Sequence, residues 1–348
     1  MTTAVFITVA SPQIGGGHVL RCLALAENLE RHGFHPVFAV SRTTVETVTL
    51  LKNGPFEIVE AAAGEAHLTD AAANTGLVIF DGYSLDREIE RQWQGRAPVR
   101  LVVDDLANRQ HDCELLVDHA PGRTAIDYAP WVPTHCRVLA GPSFALLRPA
   151  FLRYRQRALA RRSAVAPRRL LVAMGLTDID AITRRVVEGA LLAGLGLDID
   201  VVAGRGAGSL AWLETMAVSA PVTIHVDIDA TAMAELMVAS DIAIGGGGGA
   251  SLERCCMGLP SLMVLLAENQ RLAAETLERL GAARLLGDLV AATPERIATA
   301  LKSFASDAQG LEHCSKVAAT IVDGGGTDRV CQAVLALAGA GGFRERAG

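Results

Sequence analysis

Five consecutive glycines, residues 245–249, separate the apolar run 242–244 from the segment Ala250-Ser251-Leu252-Glu253, whose continuation has helical composition. A second run, Gly15-Gly16-Gly17, follows the first apolar stretch, residues 5–10, and opens another helix-like segment at His18. Glycine lacks a β-carbon, so the chain turns tightly there and its N–H groups approach a ligand closely. A helix start adds unpaired N–H donors and a partial positive charge. Strand, glycine loop, helix therefore restricts the local fold to an α/β unit and builds an anion site at the same point. Each half of the chain has one.

A chain of 348 residues exceeds what one core usually serves, about 250–300 residues, so two domains are expected. Half the residues are apolar and only 4% are aromatic, which suits buried parallel strands covered by alanine-rich helices. In the first half the pattern predicts strands at 5–10, 36–40, 56–60, 77–80, 100–104, 115–117 and 138–139. Helices are expected at 18–32, 43–53 and 85–94. The second half repeats it, with strands at 170–173, 199–203, 222–226, 241–244 and 261–265. Helices are expected from about 179 to 195, at 268–280, and near 294–306, 311–321 and 327–339. Strands alternating with helices predict parallel sheets with helices on both faces. The expected division is an N-terminal Rossmann-like domain at 1–155, a second at 156–323, and a C-terminal helix and frayed tail at 324–348. Ligands in such sheets bind at the carboxyl ends of the strands, so two domains facing each other would enclose one cleft.

A net charge of −6 argues against a general nucleic-acid surface, which needs a basic face. It leaves a phosphate ligand open, because local amides decide that. The seven cysteines include no C-x-x-C pair and are odd in number, which reads as reduced, mostly buried thiols in a cytoplasmic protein. The N-terminus reads as a first strand rather than a signal peptide, and no apolar run reaches the roughly 20 residues of a membrane span. Seven arginines fall between Phe151 and Arg169. Such a run reads as a solvated inter-domain helix, with phosphate or membrane binding as the alternative.

His18 is the first candidate for chemistry. A helix start at the end of the first strand disfavours imidazolium, and a neutral imidazole can serve as a general base. From the residues alone, a structural or hydrogen-bonding role is the commoner one for a histidine placed there. A dinucleotide site does not fit: in G-x-G-x-x-G the sixth position is Leu20, and no acidic residue ends the second strand.

Several motifs then occur in order: Gly-Gly-Gly17-His18-Val-Leu-Arg21-Cys22, Val-Asp104-Asp105-Leu-Ala-Asn-Arg109-Gln-His111, Gly141-Pro-Ser-Phe-Ala-Leu-Leu-Arg148, the stretch from Asp241 through Glu253 to Pro260, and Glu268-Asn269-Gln270. The set resembles the UDP-2,4-diacetamido-2,4,6-trideoxy-β-L-altropyranose hydrolases of pseudaminic acid biosynthesis. That family is similar in turn to GT-B glycosyltransferases. Two positions depart from its pattern: Leu176 stands where a second glycine is usual, and Leu252 where Trp precedes Glu.

The resemblance implies a GT-B fold and hydrolysis of a UDP-sugar at its anomeric carbon, with inversion and no required metal or other cofactor. It implies His18 as base. Gly17, Arg21, Asp81, Tyr83, Asn269 and Gln270 would bind substrate; Gly246, Gly247, Gly248, Gly249, Ser251 and Glu253 would bind the nucleotide. Read without the resemblance, Asp81-Gly-Tyr83 is a simple turn, Glu253 a solvated helix residue, and Asn269-Gln270 polar caps. Asp104-Asp105 reads as structural or substrate-positioning, since no metal-ligand cluster accompanies it. The implied partner is the UDP-sugar, with no nucleic acid, membrane insertion or obligate protein partner. Two other classes remain: a GT-B glycosyltransferase with an acceptor, and a nucleotide-sugar-binding protein without chemistry.

Overall fold

The computed structural model describes residues 2–69, 74–162 and 166–340. The chain divides into two compact units. The first holds residues 2–11, 18–148 and 325–340; the second holds 12–17 and 149–324. Residues 341–348, expected as a frayed tail, lie outside the described residues.

The first unit is built from β1 (Thr2–Thr8), α1 (Gly17–Arg31), β2 (Phe34–Val40), α2 (Arg42–Thr47), α3 (Thr49–Lys52), β3 (Glu57–Glu60), β4 (Thr75–Asp81), α4 (Arg87–Arg91), β5 (Val99–Val103), β6 (Leu115–Asp118) and β7 (Arg137–Ala140). Its seven strands run in the order β3-β2-β1-β4-β5-β6-β7, all parallel. Val5, Ile7, Val78, Phe80, Val102 and Leu116 pack one face of this sheet into a core with Trp93 and Tyr128. Near-continuous apolar strands are what a sheet covered on both faces requires.

The second unit comprises α5 (Pro149–Arg161), β8 (Arg169–Ala173), α6 (Ile182–Leu192), β9 (Asp198–Ala203), α7 (Leu210–Met216), β10 (Val222–Val226), α8 (Ala230–Ala239), β11 (Ile242–Gly246), α9 (Ala250–Cys256), β12 (Ser261–Leu265), α10 (Arg271–Arg279), β13 (Arg284–Asp288), α11 (Pro294–Ala305) and α12 (Ala308–Ile321). Its six parallel strands run β10-β9-β8-β11-β12-β13. The last helix, α13 (Gly326–Ala340), belongs to the first unit. Thr327 fixes its start, its hydroxyl accepting from Leu147 N at 2.9 Å and donating to Leu147 O at 2.8 Å.

In both sheets the order reverses beside the first strand, between β1 and β4 and between β8 and β11. Chains leaving these neighbouring strands diverge to opposite faces, which opens a crevice at their carboxyl ends. Both glycine runs lie at such points.

Three expectations need correction. The helix expected at 43–53 is two short helices, because Val48 at φ −116° breaks the turn. The charged helix expected at 85–94 is only Arg87–Arg91, started by Asp86, whose carboxylate accepts from Glu88 N and Ile89 N. The arginine-rich segment is not simply a solvated helix. Arg155 donates to Cys256 O and, at 2.6 Å, to Ala319 O. Arg162 donates to Met237 O at 2.7 Å, to Met257 O at 3.2 Å and to Ser240 O. These carbonyls close α8, α9 and α12, where cations complement the helix dipole. Burial draws the Arg162 guanidinium down to about 10, still charged at neutral pH.

Candidate functional site

In the first unit the site begins with the register of the two central strands. Thr8, the last residue of β1, pairs with Asp81, the last of β4. The next helix, α1, places His18 in its first turn and Arg21 one turn later, on one face. That brings three polar side chains from distant sequence to one strand end.

His18 Nδ1 lies 2.6 Å from Asp81 Oδ1. Arg21 grips the same carboxylate, Nε to Oδ2 at 2.6 Å and Nη2 to Oδ1 at 2.6 Å. Asp81 is 0% exposed. Burial alone would raise its carboxyl; the Arg21 guanidinium and the His18 ring outweigh burial and hold it well below the usual carboxylate range. An ionised Asp81 only accepts, so the proton of neutral His18 sits on Nδ1. The Arg21 Nη2 contact to Nδ1, at 3.0 Å, is then proximity rather than a hydrogen bond. Nε2 keeps its lone pair and makes no hydrogen bond among the described residues. A carboxylate on one ring nitrogen and an open lone pair on the other is the arrangement of an oriented general base.

Tyr83 and Asp105 complete the group. Tyr83 stands edge-on to His18, ring centroids 4.6 Å apart, and its hydroxyl donates to Asp105 Oδ2 at 3.3 Å. Burial and the Asp105 carboxylate push this phenol well above its ordinary value, so it remains a donor. Asp105 also takes Arg21 Nη1 at 3.1 Å. Of the expected substrate contacts, Asp81 and Arg21 are thus bonded to each other, and Asp81 to His18. Gly17 is exposed and a β-carbon there would meet open space.

Behind this group lies a buried layer of which only Asp104 was singled out from the sequence. The Tyr128 hydroxyl lies 2.9 Å from Asp104 Oδ2 and 2.8 Å from Asp118 Oδ2. One phenol proton cannot serve two carboxylates. Asp104 is held below its ordinary value, Arg109 at 2.5 Å outweighing burial. Burial pushes Asp118 up to about 7. The consistent assignment has Asp118 protonated and donating to Tyr128, and Tyr128 donating to Asp104. His119 follows on the chain. Burial and then Arg21 draw it down to about 4, so it is neutral at pH 7. Its Nδ1 accepts from Leu146 N at 3.3 Å, which leaves the proton on Nε2. The run Asp104-Asp105 and the strand-end Asp118-His119 were the available signals.

In the second unit the glycines divide their work. Gly247 N bonds Val264 O at 3.1 Å, keeping the loop on the sheet. The carbonyls of Gly248 and Gly249 accept from Ser251 N at 2.8 Å and Leu252 N at 3.0 Å, starting α9. The N–H groups of Gly248 and Gly249 make no hydrogen bond among the described residues, and Gly249 is exposed. Inward carbonyls and open N–H groups make an anion-accepting turn. Because α9 has only seven residues, those N–H groups, rather than a long helix dipole, carry the site.

Gln270 closes one side. Its Oε1 accepts from Leu266 N at 3.1 Å, and a β-carbon on Gly248 would lie 3.1 Å from its Nε2. Asn269 shares its short turn before α10, and Glu253 stands half-buried in the first turn of α9. Ser251, expected at the nucleotide, is 3% exposed with its hydroxyl 3.5 Å from Gly247 O, so it braces the loop. Leu252 is buried in the core at 2% exposure. Among the described residues, no three His, Cys, Asp or Glu side chains are grouped to hold a metal ion, and no helix is long and apolar enough to cross a membrane.

No family model matches the chain. It is 22% identical over 274 residues to an uncharacterised protein of Methanocaldococcus jannaschii, covering 76% of this chain and 56% of that protein. It is 25% identical over 198 residues to the UDP-2,4-diacetamido-2,4,6-trideoxy-β-L-altropyranose hydrolase of Campylobacter jejuni subsp. jejuni serotype O:2, covering 53% of this chain and 64% of that enzyme. The chain thus spans between 56% and 64% of the length of these curated relatives. Among solved structures it is similar to MurG of Acinetobacter baumannii, with a TM-score of 0.67 and 17% identity, covering 97% of this chain and all of that one. The calicheamicin glycosyltransferase CalG4 gives a TM-score of 0.59 at 16% identity, covering 97% and 98%. The spinosyn rhamnosyltransferase SpnG, solved with thymidine diphosphate, gives 0.55 at 14% identity, covering 95% and 100%. Two parallel α/β units of seven and six strands, with these likenesses, give the fold: the chain has the GT-B architecture.

Proposed function

We propose that this protein hydrolyses a UDP-2,4-diacetamido-2,4,6-trideoxyhexose at C1, releasing UDP and the free sugar. The carrying observation is the His18–Asp81 pair, with Nδ1 tied at 2.6 Å and Nε2 open. The partial likeness to the Campylobacter hydrolase supports the same reading. Water attacks C1 as His18 Nε2 takes its proton; the C1–O bond to the diphosphate breaks and its electrons leave with UDP. Asp81 stabilises the imidazolium that forms, and Arg21 keeps Asp81 ionised and in place. The open N–H groups of Gly248 and Gly249 receive the charge growing on the diphosphate. Glu253 accepts the ribose hydroxyls, and Asn269 and Gln270 contact the diphosphate or sugar. The loop takes the neutralising part that a divalent cation plays elsewhere, so turnover is expected to survive EDTA; loss on chelation with recovery on Mg²⁺ contradicts this.

A second reading, a glycosyltransferase, is favoured by the likeness in fold to the glycosyltransferase CalG4 and the rhamnosyltransferase SpnG. One experiment separates the two. The protein is incubated with a panel of UDP-diacetamido-trideoxyhexoses and no acceptor, and UDP and sugar are followed by NMR. Stoichiometric free sugar supports hydrolysis. UDP release only with an added acceptor assigns transfer, and binding without turnover assigns neither enzyme.

A further inference from the structure

Beneath the glycine loop lies a cation without a counter-ion. Arg254, in α9, is 2% exposed and among the largest buried side chains. Its Nη2 donates to Gly246 O at 2.7 Å. Its Nε and Nη1 are buried with no hydrogen-bond partner; no carboxylate lies within ion-pair distance of it among the described residues, and the adjacent Glu253 acts on it only through space. Burial lowers this guanidinium from its ordinary value, but an arginine stays charged at neutral pH. The chain accommodates it deliberately: a β-carbon at Gly245 would lie 2.4 Å from Nη1, so the first glycine of the run is the space the guanidinium occupies. An unpaired buried charge is strongly unfavourable, and a well-packed apolar side chain would serve folding better. Capping one neutral carbonyl needs no cation.

The charge sits where an anion would compensate it. The carbonyl it holds belongs to Gly246, the last residue of β11, two residues before the first open N–H of the turn. A charge in the low-dielectric interior acts over several ångströms with little screening. We propose that Arg254 is the buried counter-charge of the ligand's diphosphate, acting through the loop and without touching the ligand. It is a positioning residue: it fixes the Gly246 carbonyl so that the following N–H groups face out, and it adds a positive potential behind them. This deepens the proposed function and rests on its placing of UDP at residues 246–249.

Calorimetric titration with UDP, uridine and inorganic pyrophosphate tests it, on wild type, Arg254→Met and Arg254→Lys, each first checked for folding by ligand-free thermal unfolding. The methionine variant is expected to lose about tenfold or more in affinity for UDP and pyrophosphate, and less than about twofold for uridine. Lysine should recover part of the UDP affinity, because it restores charge without the fork. A folded Arg254→Met that binds UDP within about twofold of wild type, or that loses uridine and UDP alike, overturns the proposal. If Arg254→Met does not fold, Gly245→Ala takes its place, since its methyl group displaces Nη1 while leaving the charge in the chain. The same selective loss of diphosphate affinity is expected, and unchanged or indiscriminate affinities overturn it. Wild-type protein that binds no UDP defeats the nucleotide reading itself, an outcome distinct from an Arg254 variant that binds UDP normally.

Discussion

At His18 the chemistry turns on which ring nitrogen carries the proton, and Asp81 decides it. His18→Ala is expected to fold and to bind UDP as wild type does, while turnover falls by about 10²–10⁴, the usual loss of a general base. Near-normal kcat would remove His18 from the mechanism. A different consequence attaches to Asp118. Its carboxyl is raised to about 7, whereas an unfolded aspartate titrates at about 4. Between those values the folded state holds a proton that the unfolded chain has released. Stability therefore falls as pH rises through that window, and is flat above it. Asp118→Asn mimics the protonated form: its oxygen accepts from Ala120 N, as Oδ1 does at 2.8 Å, and its amide donates to Tyr128. The variant should lose that part of the slope, and at pH 8 gain about 1–4 kcal/mol over wild type. Chemical denaturation at pH 5 and pH 8 reads this directly, and an unchanged slope would assign the proton elsewhere. His18 stood out in the sequence by its place after a strand and a glycine turn, although from the residues alone a structural role was the commoner reading. Its partnership with Asp81 was not legible, since the two are 63 residues apart and meet only through the β1–β4 register.

Among the elements, α5 shows how composition misleads. Arginines at 153, 157 and 161 are exposed, as a charge run suggests. Arg155 and Arg162, from the same run, turn inward because three helices end beside them with unpaired carbonyls. No periodicity in α5 announces where α8, α9 and α12 will stop. Arg162→Met should cost about 2–4 kcal/mol in denaturant unfolding, because it strips charge-assisted bonds and leaves buried acceptors unmet. Arg157→Met, at an exposed side chain that bonds no helix-end carbonyl among the described residues, should lie within about 0.5 kcal/mol of wild type. Equal losses for the two would mean that the carbonyl contacts contribute nothing particular. Of the glycine run, Gly247, Gly248 and Gly249 were legible as a turn between strand and helix, whereas Gly245 and Gly246, expected in the loop, end β11. The separate reason for each glycine was not legible: Gly245 yields to Arg254, Gly246 to Leu266, and Gly248 to Gln270. Those neighbours come from later elements, so the requirement exists only once the unit has folded. The edge strand β13 and the short helices α7 and α8 also escaped the pattern. In α8, eight of ten residues are Ala, Met, Leu or Val, which blurs the helical stripe.

For the whole molecule, the doubled strand–glycine–helix pattern and the Ala, Val and Leu-rich composition already pointed to two parallel-sheet units, because a chain of this length and alternation has few other ways to bury its strands. The return of α13 to the first unit is a tertiary matter, settled by Thr327 against Leu147 and by Val330, Cys331 and Val334 in the core. What a GT-B chain does with a UDP-sugar depends on what reaches the anomeric carbon. No motif places a carboxylate to form a glycosyl-enzyme: both oxygens of Asp81 are taken by Arg21 and His18, and Oδ2 of Asp105 by Arg21 and Tyr83. On the proposed reading the route is a single displacement by water, with His18 taking the proton. Bond cleavage must then fall between C1 and oxygen. Turnover in H₂¹⁸O should put the label in the sugar and none in UDP, and the first-formed anomer, caught by NMR before mutarotation, should be inverted. Label in the terminal phosphate would mean P–O cleavage, for which a base aimed at water near C1 has no use, and both the reaction and the role of His18 would fall together. Label in the sugar with retained configuration would instead demand a nucleophile on the protein, and Asp105 would be the first residue to replace.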